Sequence, residues 1–149
     1  MNTRIHNPVL IDNKTKREID ENLFLNIYEL LVKNKDIKED SFISVLITDD
    51  GSIEEQNRKY LGRSGLTDVI SFPSENDFEP FLGDIIIDAN VIDDQKGKKT
   101  FEEELLKVFL HGLLHLAGFD HISGKDKLEM TRKEEFYNLR IKSIFSKLE

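Results

Sequence analysis

Apolar positions recur along the chain with two periods, and the changes of period divide it into strands and helices. Residues 2–10 read as an opening strand, with Ile5, Val9 and Leu10 apolar. Pro8 points to a sheet edge, where a missing backbone donor costs least. Asp12 or Asn13 is expected to cap a helix running to about Lys35, because Ile19, Leu23, Ile27, Leu30 and Leu31 recur at helical spacing. Ser41 to Thr48 reads as a buried strand, stopped by the turn residues Asp49, Asp50 and Gly51. Ser52 and Glu55 make a capping box for a short helix to about Leu61. Gly62-Arg63-Ser64-Gly65 is a loop before a third strand, Asp68 to Phe72, which Pro73 closes. Ser74 to Pro80 is acidic and expected in an exposed loop.

A fourth strand, Gly83 to Asp88, carries Ile85, Ile86 and Ile87 in succession, a run that implies burial on both faces of a sheet. A helix near Ala89 to Gln95 leads to the basic loop Lys96-Gly97-Lys98-Lys99. Thr100 and Glu103 form a second capping box and open a long helix, in which Phe101, Leu105, Val108 and Phe109 are spaced to pack on the sheet. A last helix is expected from about Lys125 to near the C-terminus. No repeat, low-complexity tract or linker interrupts this order. Residues 1–149 are therefore expected to form one α+β domain, a small mixed four-stranded sheet packed with about five helices.

Composition narrows the class. At 149 residues, 38% hydrophobic and 34% charged, the chain suits a soluble globular domain. No run of about 18 apolar residues is present, so no membrane span is expected. The N-terminal residues lack the apolar core of a signal peptide, which makes the cytoplasm the expected location. Cysteine is absent, which leaves imidazole and carboxylate as the metal ligands available. A net charge of −8 argues against non-specific binding to nucleic acid, unless local basic patches override it.

Three of the four histidines lie in one apolar run, Phe109 to His121. His111 and His115 are four apart, so on a helix they share one face with Cβ atoms about 5–6 Å apart. That spacing lets two imidazoles share an ion. Gly118 stands where a helix can end in a left-handed turn, which would bring His121 back towards the same point. Three imidazoles with an open fourth position describe a catalytic zinc site, with one Zn2+ per chain. A lone histidine on an apolar face is usually a satisfied core residue, and His6 is read that way.

The spacing His-x-x-x-His-x-x-Gly-x-x-His matches the zinc-binding frame of the metzincin peptidases, which makes this a metzincin-like histidine helix. Those enzymes place a glutamate general base directly after the first histidine. Here that position is Gly112, which cannot accept a proton. The ligand frame is kept and the peptidase base is gone.

His111-Gly112-Leu113-Leu114-His115-Leu116-Ala117-Gly118-Phe119-Asp120-His121 resembles the HGxLHLxGxDH signature of the YbeY family of bacterial rRNA-maturation endoribonucleases. Thr67-Asp68-Val69-Ile70-Ser71-Phe72-Pro73 resembles that family's TDVLSFP segment, and Leu82-Gly83-Asp84-Ile85 its LGDI strand. Met130 and Glu134 fit the pattern after the histidines, so the resemblance spans roughly residues 45–135. It implies a zinc-dependent endoribonuclease that favours single strands and acts in 16S rRNA 3′-end maturation and ribosome quality control. His111, His115 and His121 would be its metal ligands. Its expected partners are single-stranded rRNA, the small ribosomal subunit and its proteins, and an assembly GTPase. Family members usually carry arginine directly after the tyrosine that precedes the TDV segment. Here Tyr60 is followed by Leu61, and the proline before the segment is Leu66. Arg63, or Arg58 one helical turn earlier, is the candidate for the missing arginine's catalytic role.

Zinc lowers the pKa of coordinated water to about 7 and polarises phosphoryl oxygens. An arginine can stabilise the negative charge that develops in phosphodiester cleavage. Arg58, Lys59 and Arg63 are the local cations, and a solvated helix face explains them equally well. Asp120 either orients a histidine from behind or caps the turn. Asp68 and Ser71 either line the cleft or serve turn and strand. No side chain identifies itself as the general base. Two other readings stand beside the nuclease: a metallohydrolase of another substrate class, and a non-catalytic assembly factor with a structural metal.

Overall fold

A computed structural model describes residues 7–51, 53, 69–74, 80–119 and 124–148. Its elements are β1 (Val9–Asn13), α1 (Glu21–Lys33), β2 (Phe42–Thr48), β3 (Val69–Pro73), β4 (Phe81–Asp88), α2 (Ala89–Gln95), α3 (Phe101–Leu116) and α4 (Gly124–Leu148). The sheet has the order β1-β2-β4-β3. β1, β2 and β4 run parallel, and β3 is antiparallel to β4. The expected small mixed four-stranded sheet in an α+β arrangement is therefore present, with four helices among the described residues. The short helix expected over Ser52 to Leu61 lies outside them, apart from the buried Ile53.

β1 takes an edge, as Pro8 implied, but it runs later than expected. Asp12 and Asn13, read from the sequence as helix caps, pair with Leu46 and Ile47 of β2. The Asn13 side chain accepts a hydrogen bond from Thr15 N at 3.0 Å, and so closes a turn after the strand. The helix cap is Asp20 instead, whose side chain accepts from Asn22 N at 3.0 Å. Pairing with a buried neighbour outweighed local capping preference, because a strand beside β2 satisfies a whole row of backbone groups. β4 starts two residues before its expected beginning, and β3, described from Val69 onward, takes in Pro73 at the opposite edge of the sheet. α2 falls where expected, and Thr100 caps α3 by accepting from Glu103 N at 3.1 Å.

The triple isoleucine shows how the layers are built. Ile85 and Ile87 join Ile43, Val45 and Ile47 against α1, α3 and α4. Ile86 points the other way and packs with Ile53 and Ile70. Alternation along a strand sends neighbours to opposite faces, so a run apolar at every position requires cover on both. Phe109 of α3 meets Phe24 of α1 edge to face, with ring centroids 4.8 Å apart.

α4 packs through a stripe at helical spacing that includes Met130, Tyr137 and Ile141, all buried. The Tyr137 hydroxyl donates to Asp36, and Lys133 Nζ reaches the same carboxylate at 3.0 Å, which ties α4 to the chain just after α1. Burial, and secondly the bond to Asp36, push the Tyr137 hydroxyl well above the usual tyrosine range. Burial also raises Tyr28, whose hydroxyl is hydrogen-bonded to Ser41. No helix among the described residues is long and apolar enough to cross a membrane.

Candidate metal centre

α3 delivers the first two histidines. Ten of its 16 residues are buried, and His111 and His115 lie on the strip that is not. Their ring centroids are 4.8 Å apart and the planes cross at 72°. The two imidazoles share one accessible face a helical turn apart, as their spacing predicted, and this is the arrangement a pair of ligands to one ion requires.

His111 has a partner that holds it. Its Nδ1 lies 2.9 Å from Glu134 Oε1 on α4, with the two side chains 35% and 26% exposed. A carboxylate only accepts, so Nδ1 carries the proton and donates it, which leaves the Nε2 lone pair for a metal. This is the arrangement by which a carboxylate behind a ligating histidine sets the tautomer and the ring's direction. The donor chemistry therefore fits a divalent ion. Sequence reading noted Glu134 only as part of a pattern and assigned it no role. The two residues are 23 apart on different helices, and no local periodicity links them.

Gly112, between the two histidines, faces the sheet. A Cβ there would stand 3.1 Å from Ile85 Cγ2, 3.1 Å from Ser71 Oγ and 3.2 Å from Val69 Cγ2. These are closer than the roughly 3.5–4.0 Å of ordinary carbon contacts, so the glycine lets α3 lie down on β3 and β4. Ser71 Oγ donates to the Gly112 carbonyl at 3.2 Å across this contact. Ser71 thus ties the histidine helix to β3. A glutamate at position 112 would run into the sheet, so the peptidase base lacks room as well as a residue.

The helix ends as the sequence suggested. Gly118 has φ +102°, its N–H donates to His115 O at 3.1 Å, and Phe119 N donates to Leu114 O at 3.1 Å. This pair of bonds around a left-handed glycine satisfies the last carbonyls and turns the chain away from the axis. His121 and Asp120 follow that turn and lie outside the described residues, as do Arg58, Lys59, Arg63 and Asp68. Among the described residues no group of three ligating side chains meets at one point, and the structure brings together two of the predicted ligands, His111 and His115.

Comparisons with known proteins show the family. The family model described as Endoribonuclease YbeY matches residues 10–142. The protein called Endoribonuclease YbeY in Nautilia profundicola is 39% identical over 128 residues, covering 83% of this chain and 84% of that one. Its namesake in Staphylococcus aureus is 37% identical over 123 residues, covering 74% and 79%. The solution structure of TM1509 from Thermotoga maritima superposes with a TM-score of 0.63 at 28% identity, over 93% of this chain and 92% of that one. A family match spanning most of the chain, joined to paired histidines on a helix closed by a glycine turn, places this protein in the YbeY endoribonuclease family.

Proposed function

We propose that this protein is a zinc-dependent endoribonuclease that cuts single-stranded rRNA in the cytoplasm, in 16S rRNA 3′-end maturation and ribosome quality control. The observation that carries the reading is the His111–His115 pair, with Glu134 fixing the first ring, in a chain of the YbeY family. His111 and His115, with His121 as third ligand, would hold the ion. When bound, it supplies Lewis-acid polarisation of a phosphoryl oxygen.

The chain's own groups do the rest. Glu134 keeps the His111 ring in one tautomer and one direction. Gly112 and Ser71 seat the histidine helix on β3, so His111 and His115 are held by a packed layer rather than a loop. Arg58 and Arg63 are the cations assigned to the charge that develops on the phosphate. Gly112 and the crowding around it count against peptide hydrolysis. The partners proposed are the small ribosomal subunit, its proteins and an assembly GTPase.

The test uses the purified full chain. Metal content is measured by mass spectrometry, and cleavage of single-stranded rRNA fragments is followed with and without chelator, beside a protein substrate. Wild type should carry about one zinc and cut the RNA alone, while His115→Ala should lose both properties. RNA left intact by zinc-loaded wild type, or cleavage unchanged in His115→Ala, would overturn the reading.

A further inference from the structure

α3 carries more than histidines on its accessible strip. Lys107, His111 and His115 recur every four residues, so Lys107 stands one turn before the first ligand, about 6 Å along the axis. Beside it, between α3 and α4, is a cavity of about 160 Å³. It is lined by Lys99, Lys107 and Lys142, with Glu103, Asn138 and Phe145. Lys99 is the last residue of the basic loop before α3, and its ammonium lies 3.9 Å from Glu104.

The charge here runs against that of the protein. The whole chain carries −8, so its mean field repels a polyanion, yet this cavity gathers three lysines against one lining glutamate. All three lysines are exposed and can reach a ligand without unfolding anything. Phe145 offers an apolar surface, and the Asn138 amide both donates and accepts. Cations for phosphate, a ring for stacking and an amide for base edges match the chemistry of a single strand.

Placement favours the same ligand. α4 borders both places, giving Glu134 to His111 and Asn138, one turn further on, to the cavity. The lysines and the histidines are therefore neighbours where α3 meets α4, with Lys107 one helical turn from His111.

Resting on the endoribonuclease reading above, we propose that Lys99, Lys107 and Lys142 form a subsite for the backbone phosphates of the RNA strand, next to the metal centre. It holds the substrate away from the bond that is cut, and compensates locally for the acidic surface.

The experiment compares Lys99→Gln/Lys107→Gln/Lys142→Gln with wild type and with a control of equal charge change outside the cavity, Lys14→Gln/Lys35→Gln/Lys38→Gln. Binding of a short single-stranded RNA is measured in chelator, across a salt series, and cleavage is measured with zinc restored. Each phosphate contact on a single strand contributes about −0.7 to the slope of log affinity against log salt. The cavity variant should bind about tenfold or more weakly with a slope shallower by about 2, and its KM should rise with kcat largely kept. The control should stay near wild type. Lys107→Gln alone, which removes one contact, should give a partial loss and guards against misfolding of the triple variant.

Equal losses in both triple variants would mean a diffuse field and would overturn the subsite. So would an unchanged KM and salt slope in the cavity variant, while the nuclease reading stood. Wild type that neither binds nor cuts RNA would remove the nuclease reading, and the subsite with it.

Discussion

The contact at Gly112 allows a prediction in which two effects of known size oppose each other. Gly112→Ala places a methyl group in the interior of α3. Helix propensity alone would favour the change by about 1 kcal/mol. Against this, the new Cβ meets Ile85, Ser71 and Val69 at 3.1, 3.1 and 3.2 Å. Ile85 is completely buried, and Ile85 and Val69 are β-branched and stiff about χ1. The strands beneath are paired with each other through Ser71↔Ile85 and Val69↔Ile87, so neither can retreat alone. Overpacking of this kind costs about 1–3 kcal/mol. The net is a destabilisation of about 1 kcal/mol, or a Tm about 2–4 °C lower for a chain of this size. Calorimetry or thermal circular dichroism reads it directly. Ser71→Ala removes one of the three crowding atoms, so the alanine should cost less in that background, which a double-mutant cycle measures. Gly112→Ala as stable as wild type, or more so, would refute the close-approach reasoning. Gly112→Glu should do far more damage, because it drives a carboxylate into the same contact.

Glu134→Gln should weaken zinc binding about 10–100-fold in a chelator competition, or about 1.4–2.7 kcal/mol, while the far-ultraviolet spectrum stays native. Affinity within twofold of wild type would show that the carboxylate does not orient His111. Gly118→Ala has nothing within 4 Å of its new Cβ, so its cost is the backbone strain at φ +102° alone, about 1–2 kcal/mol in thermal unfolding. A neutral result would mean that the turn after α3 is not held as described. The Tyr137 hydroxyl is raised above the ordinary 10.0 chiefly by burial, then by its bond to Asp36. A group raised on folding contributes stability that is full below its unfolded value and is lost as pH climbs towards the folded one. Denaturant unfolding of wild type should therefore weaken above about pH 10, and Tyr137→Phe should show a smaller alkaline loss from a lower starting stability. An identical alkaline slope in the two proteins would contradict this.

Much of this protein is written locally. The four-residue spacing of His111 and His115, the Thr100 cap, the glycine after the helix and the consecutive isoleucines each state a structure within one or two turns of chain. Such signals survive into the fold because the physics they use, hydrogen bonding at a helix end or burial of a strand face, operates between near neighbours. Local preference misled at Asp12 and Asn13, where residues able to cap a helix were taken instead as the end of β1. The pairing that decided it comes from β2, more than thirty residues away. Only the tertiary structure could show why position 112 is glycine, since the three groups that exclude a side chain sit on β3 and β4. It alone selected Glu134 for His111, and it alone set Lys142 beside Lys107. In each case the partner lies on a different element, and which residues face each other across two packed layers is fixed by packing, not by spacing along the chain. The histidine frame marked candidate ligands in the sequence; what orients His111, and what surrounds it, depended on the fold.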